Sequence, residues 1–213
     1  MSRSLIVSAC AVLLVSLPGC GVVREAANQP VLQPTVDWRN VATPNDRRRL
    51  REWRSAWVEG LALAAAAGHQ AEIAREGTLL HPDAAQMRAL PPPGDYRCRT
   101  IKIGGQSPGM LDYLAYQPFA CRITLEEGLL SFAKVSGSQR PVGLLFEDTD
   151  RRMVFLGTLQ LGDERRALQY GRDRERDMAG VLERVDDRRW RLVFPYPHFE
   201  SLIDVLELVP ASS

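Results

Sequence analysis

Gly94-Asp95-Tyr96-Arg97-Cys98-Arg99-Thr100-Ile101-Lys102-Ile103-Gly104 and, after a loop, Tyr116-Gln117-Pro118-Phe119-Ala120-Cys121-Arg122-Ile123-Thr124-Leu125 are two strand-like runs carrying one cysteine each. In the second, Phe119, Cys121, Ile123 and Leu125 alternate with Ala120, Arg122, Thr124 and Glu126. A period of two puts the apolar set on one face of a half-buried strand. Between the runs, Gly104-Gly105-Gln106-Ser107-Pro108-Gly109 reads as a flexible hairpin loop, since it lacks the lysine and the spacing of a phosphate cradle. The pair therefore opens an antiparallel sheet, with Cys98 and Cys121 stapled across its first two strands.

Downstream the pattern repeats. Apolar runs at Leu129–Val135, Val142–Glu147, Met153–Leu161, Ala179–Val185, Arg189–Phe194 and Leu202–Val209 are separated by turn residues such as Ser136-Gly137-Ser138, Asp148-Thr149-Asp150 and Asp186-Asp187. Eight consecutive antiparallel strands with short turns fit an up-and-down barrel, which removes exposed sheet edges; a β-sandwich is the rival. Met153–Leu161 and Leu202–Val209 are apolar on both faces, so their outer faces are expected to pack against helices.

Those helices lie upstream. Thr43-Pro44-Asn45-Asp46 is a helix start, with Thr43 as N-cap and Pro44 at the first helical position. Leu50, Trp53, Trp57 and Leu61 then recur at helical spacing, predicting a helix over 44–67 that ends at Gly68. Trp53 and Trp57 read as a core stripe rather than an aromatic platform, and Arg47, Arg48 and Arg49 as a solvated face. A second helix is expected from His69 to Leu80, ended by His81-Pro82-Asp83. Leu90-Pro91-Pro92-Pro93-Gly94 reads as a rigid spacer before the sheet.

The N-terminus reads as an address. Arg3 precedes an apolar run from Leu5 to Leu17, too short to span a bilayer. Leu17-Pro18-Gly19-Cys20 resembles a bacterial lipobox, which implies acylation of Cys20 at the mature N-terminus; an ordinary secretory signal cut near Gly19 is the alternative. Gly21 after the cysteine favours outer-membrane sorting by the same resemblance. The expected organisation is a signal peptide at 1–19, a lipidated tether at 20–36, a helical segment at 37–90 and a barrel domain at 91–213. Cys10 leaves with the signal and Cys20 takes lipid, so Cys98 and Cys121 remain as an even pair in an oxidising compartment. A disulfide is favoured over a metal-site fragment, which would want a nearby histidine or Cys-x-x-Cys.

An apolar fraction of 45% and a charged fraction of 25% suit one globular core, and a net charge of +1 argues against a general grip on nucleic acid. Only Lys102 and Lys134 are lysines among the 27 Lys and Arg residues; this reads as a coding bias and is given no functional weight.

From Gly94 to Pro210 the strand count and the Gly94-x-Tyr96-x-Cys98 opening resemble the calycin architecture of lipocalins and their bacterial lipoprotein relatives, without the lipocalin Gly-x-Trp motif. The resemblance implies a fold of the α+β class, mainly β, with the helical segment packed on an eight-stranded antiparallel calycin-like barrel. Asp37-Trp38-Arg39, Pro91-Pro92-Pro93-Gly94-Asp95-Tyr96-Arg97-Cys98-Arg99, Gly137-Ser138-Gln139-Arg140-Pro141 and Phe194-Pro195-Tyr196-Pro197-His198-Phe199-Glu200-Ser201 also resemble an uncharacterised bacterial family of exported domains of unknown function, which implies no mechanism.

No catalytic, metal or cofactor motif emerges. His69, His81 and His198 are far apart, no His-Glu-x-x-His or Gly-x-Ser-x-Gly is present, and His198-Phe199-Glu200-Ser201 reads as a loop between the last two strands. Two loops carry the binding expectation. One is the charged stretch Gly162 to Asp177, with Arg165, Arg166, Tyr170 and Arg172; the other is Gly137–Pro141, with Arg140. If the barrel closes, its mouth and these loops form the default site. The expected protein is a non-enzymatic periplasmic lipoprotein anchored in the outer membrane, without cofactor. Its expected partners are a small hydrophobic ligand or an envelope protein, not nucleic acid. An envelope enzyme using His198 and Glu200 or the arginine-rich loop, and a structural envelope protein, are the alternatives.

Overall fold

The computed structural model describes residues 37–211. Residues 1–36, on which the expected signal peptide, the lipidation expected at Cys20 and the expected tether fall, lie outside the described residues.

Among the described residues, nine strands form one antiparallel sheet: β1 (Gly94–Gly105), β2 (Tyr113–Ala115), β3 (Phe119–Glu126), β4 (Leu129–Lys134), β5 (Gln139–Thr149), β6 (Arg152–Leu161), β7 (Asp177–Asp186), β8 (Arg189–Pro195) and β9 (Ser201–Pro210). β1 pairs with β9 from Tyr96↔Pro210 to Gly105↔Ser201, which closes the sheet. The wall has eight positions because β2 and β3 share one: β3 pairs with Gly94–Cys98 of β1, and β2 with Ile101–Ile103. Tyr116-Gln117-Pro118 interrupts that position, where Pro118 has no N–H to give a ladder. The expected architecture, mainly β with N-terminal helices on an eight-stranded antiparallel barrel, is the one observed.

Alternation sends one face of every strand into the lumen. Tyr96 and Cys98, Cys121 and Ile123, Leu130 and Phe132, Leu145, Phe155, Leu182, Trp190 and Leu192, and Leu206 and Leu208 meet there as one buried cluster. Cys98 and Cys121 form the expected disulfide, with Cα atoms 5.9 Å apart and a sequence separation of 23.

One end of the lumen is plugged. Ala89 and Leu90 join the lumen cluster, and Pro91 is buried. Trp190 Nε1 donates to Ala89 O at 2.9 Å, Tyr96 Oη to Pro92 O at 2.6 Å, and Ala89 N to Asp150 O at 3.1 Å. The proline-rich stretch is thus a cork rather than a spacer: its stiff, apolar residues cover the barrel floor.

The outer face is covered as expected, but by two helices where one was predicted: α2 (Pro44–Arg51) and α3 (Trp53–Ala66), broken at Glu52. Before them, α1 (Trp38–Val41) is capped by the Asp37 side chain; after them come α4 (Gln70–Glu76) and a 3-10 turn at Gly77–Leu79. α2 packs on β7, while α3 packs on β1, β8 and β9. A straight rod of both lengths would leave so curved a wall. Thr43 caps α2 as expected, its Oγ1 accepting from Asp46 N. Trp57 is fully buried with Nε1 donating to Leu80 O at 3.1 Å, which makes the tryptophan stripe core.

Two arginines are buried as well. Arg49 was expected on a solvated face; instead its guanidinium binds the Asp46 carboxylate, Tyr196 O at 3.2 Å and Asp177 O at 2.8 Å, joining α2 to the barrel rim. Arg191, on the outer face of β8, is wholly buried. It pairs with Glu183 at 2.6 Å, donates to the carbonyls of Thr78, Leu79, His81 and Pro82, and lies 4.4 Å from the Trp57 ring centroid.

Candidate functional site

Opposite the plug the lumen opens into a cavity of about 430 Å³, within the range of small-molecule sites. Its apolar wall comes from Phe119, Pro141, Leu159, Met178, Phe194 and Leu206. These are the inward positions of β3, β5, β6, β7, β8 and β9 above the packed half of the lumen.

Both lysines of the chain line this cavity. Strand parity puts them there: Lys102 follows Cys98 and Thr100 on β1, and Lys134 follows Leu130 and Phe132 on β4. They are only 6% and 7% exposed, yet their surroundings differ. Lys102 Nζ bonds Asp204 at 2.9 Å and Glu200 at 3.1 Å. Asp204 also accepts from Ser201 Oγ. Burial alone would push the Lys102 amine down, but Asp204 and then Glu200 hold it above its ordinary range. Lys134 Nζ sits 3.7 Å from the Phe119 ring centroid. Among the described residues it has no hydrogen-bond or carboxylate partner. Burial pushes its amine down to about 8; the Lys102 charge adds to this, and the Asp204 charge opposes it.

A second polar wall rises three strands from β4. Asp177, 3% exposed, starts β7. Its Oδ1 accepts from Gly171 N, whereas Oδ2 is buried without a partner among the described residues, and burial pushes the carboxyl up. His198 Nε2 is likewise buried without a partner among the described residues, and burial followed by the Arg49 charge pushes the imidazole down. Glu200, two residues on, turns to Lys102.

Of the Gly137–Pro141 loop, Gly137, Ser138, Gln139 and Pro141 line the cavity, whereas the five side chains singled out in the loops, Arg140, Arg165, Arg166, Tyr170 and Arg172, sit elsewhere. Arg140 lies outside the cavity lining and donates to Leu161 O and Glu164 O, both at 2.8 Å, tying β5 to the 162–176 loop. Tyr170 Oη accepts from Thr43 N and donates to Asp46, latching that loop to α2. Arg165, Arg166 and Arg172 are exposed on the loop surface. From the loop only Glu175 and Arg176 reach the cavity; Arg176 is engaged by Glu164. Sequence reading missed Lys102 and Lys134. Their rarity, combined with the alternation already read for their strands, was the available signal. Among the described residues, no group of three His, Cys, Asp or Glu side chains could hold a metal ion.

Fold and site together define a closed eight-stranded antiparallel barrel, corked at one end and open with a charged, apolar-walled cavity at the other. Residues 38–208 match a family described as a domain of unknown function, DUF4893, and the chain belongs to that family. The match starts in α1 and ends in β9, so it covers helices and barrel together. No curated protein and no solved structure matches this chain.

Proposed function

We propose that this chain is a non-enzymatic cell-envelope lipoprotein that binds a small, partly apolar ligand at the open end of a calycin-like barrel. The observation that carries this reading is the cavity of about 430 Å³, apolar on its walls and charged at its rim, above a lumen otherwise filled by side chains. The envelope location is supported by the Cys98–Cys121 disulfide, since such bonds persist in oxidising compartments, and by the lipobox-like Leu17-Pro18-Gly19-Cys20. A multi-chain anchor at Cys20 would hold the domain stably at a membrane.

Native mass spectrometry of the exported chain carrying Cys20→Ser tests the ligand reading. A co-purified small molecule is expected, and it should be lost from a Leu159→Trp variant whose indole fills the cavity. Persistent absence of bound mass, together with no uptake of any amphiphile added in excess, would overturn it. Cys20→Ser should also release the protein from the membrane fraction; a variant that stays there would refute the anchor.

One observation favours a second reading, an envelope enzyme. His198 brings a neutral, unpartnered imidazole nitrogen to the same cavity. His198→Ala abolishing turnover of a model ester, with ligand uptake unchanged, would establish that reading.

A further inference from the structure

We infer that the ligand at the open end is a single-chain amphiphile with a carboxylate head, seated on the Lys134 ammonium while its chain runs over Phe119, Leu159, Phe194 and Leu206. This deepens the reading of the cavity as a ligand site and rests on it.

Lys134 is the anomaly among the cavity's cations. Lys102 has Asp204 and Glu200, Arg49 has Asp46, and Arg176 has Glu164. Lys134 has a ring face on one side and, among the described residues, no acceptor. A buried charge is costly unless it is paired or hydrogen-bonded. In a site that opens to solvent, the missing acceptor can be supplied by a ligand. Space for it is left beside the ammonium, where Gly137 presents no side chain: a Cβ built there would come within 3.4 Å of Nζ.

The surroundings also select the head. Asp204 and Glu200, drawn in by Lys102 on the neighbouring β1, repel a second negative charge. A monoanion therefore suits the site better than a phosphomonoester dianion. Asp177 does not compete as a counter-ion, because it lies on β7, three strands round the wall. There its unpartnered Oδ2 and His198 Nε2 can meet a polar group further along the ligand. Among the apolar side chains between these two walls, Phe194 and Leu206 belong to the lumen cluster and Phe119 packs against it, so a hydrocarbon chain entering from the rim would extend the core packing already present.

The test is calorimetric titration of the exported chain carrying Cys20→Ser, stripped of endogenous ligand, with decanoate, decanol, decylammonium and decyl phosphate. Decanoate should bind tightest. Lys134→Met should weaken decanoate by roughly ten- to a hundredfold, the scale of one lost charge-assisted hydrogen bond. Decanol binding should be left unchanged. Lys134→Arg, which keeps the charge, should keep the preference. Equal binding of the first three probes, or tightest binding of decylammonium, would overturn the carboxylate head while leaving the cavity a ligand site. Tighter binding of decyl phosphate would overturn the monoanion assignment. Binding of none of the four would overturn this inference and the proposed function together. The ligand series on the unsubstituted Lys134 carries the test even if a variant folds poorly.

Discussion

Arg191 shows how a single side chain can hold two layers together. It points away from the lumen and should meet water, yet the loop after α4 folds over it and turns four carbonyls towards its guanidinium. Glu183 beside it is buried too, and burial pushes its carboxyl up while Arg191 pulls it back. Arg191→Ala leaves that carboxylate without its cation and the carbonyls without donors, and should cost about 3–5 kcal/mol in urea unfolding. Replacing both partners with apolar residues, Arg191→Met with Glu183→Leu, should recover much of the loss; a single variant within about 1 kcal/mol of the parent would refute this role. Lys134 is the opposite case, a buried charge the protein does not match. Folded, its amine titrates at about 8, against an ordinary value of 10.5. Between those values the unfolded chain holds a proton that the folded chain has shed, so this group adds stability as pH rises through the window. Below about 8 the whole burial penalty applies. Lys134→Met should therefore melt above the parent near neutral pH, and the gap should close as pH climbs from about 8 towards 10.5. Thermal melts of both proteins across that range check it; a gap independent of pH would contradict the assignment.

At the scale of elements, what was legible in the sequence follows from local physics. The strands could be read because alternation and turn residues are local signals, and their observed bounds fall within a few residues of the runs. The break at Glu52 could not be read, because neither proline nor glycine marks it; it lies where the chain passes from α2 on β7 to α3 on β1, β8 and β9. The cork at Ala89–Pro91 could not be read either, since a proline-rich stretch looks the same as a linker until a barrel end lies beneath it. The site was half legible: its location at the mouth follows from closure. Its chemistry lay in two lysines set aside as compositional, while the arginines of the long loop turn to exposed or structural positions. One contact between elements makes a sharp forecast. Gly104 has φ +73, and a Cβ there would fall 2.8 Å from Gly60 Cα, where α3 crosses β1. Gly104→Ala must strain the backbone and lift the helix, and should cost about 1–3 kcal/mol in thermal or denaturant unfolding. Gly60→Ala meets the Cγ2 methyl of buried Ile203 at 3.0 Å and Ile103 O at 3.2 Å, but in a helix it carries no left-handed backbone strain, so it should cost less. The reverse order would place the tight contact elsewhere.

Across the whole molecule, the barrel is asymmetric along its axis: filled and corked below, open and charged above. The disulfide sits where the two regimes meet. Its wall position is the one broken by Tyr116–Pro118, so β3 re-enters the ladder at Phe119 with only its first residues paired to β1. Cys121 lies in register with Lys134 on β4, and Phe119, whose ring faces Lys134 Nζ, is two residues away. Closing a loop of 23 residues should contribute about 3 kcal/mol in the chain-entropy model. Cys98→Ser with Cys121→Ser should lose that amount in denaturant unfolding while keeping its β-sheet circular dichroism, because strand closure elsewhere does not depend on the bond. Native-state hydrogen exchange should locate the loss: β3 and the paired edge of β4 should lose protection first, while β7 to β9, packed on α2 and α3, keep theirs. The cavity wall built from Phe119 and Lys134 should loosen with them and weaken ligand uptake even at temperatures where the barrel remains folded. Uniform loss of protection round the barrel would mean that the bond constrains only the unfolded chain and has no part in holding the open end in shape.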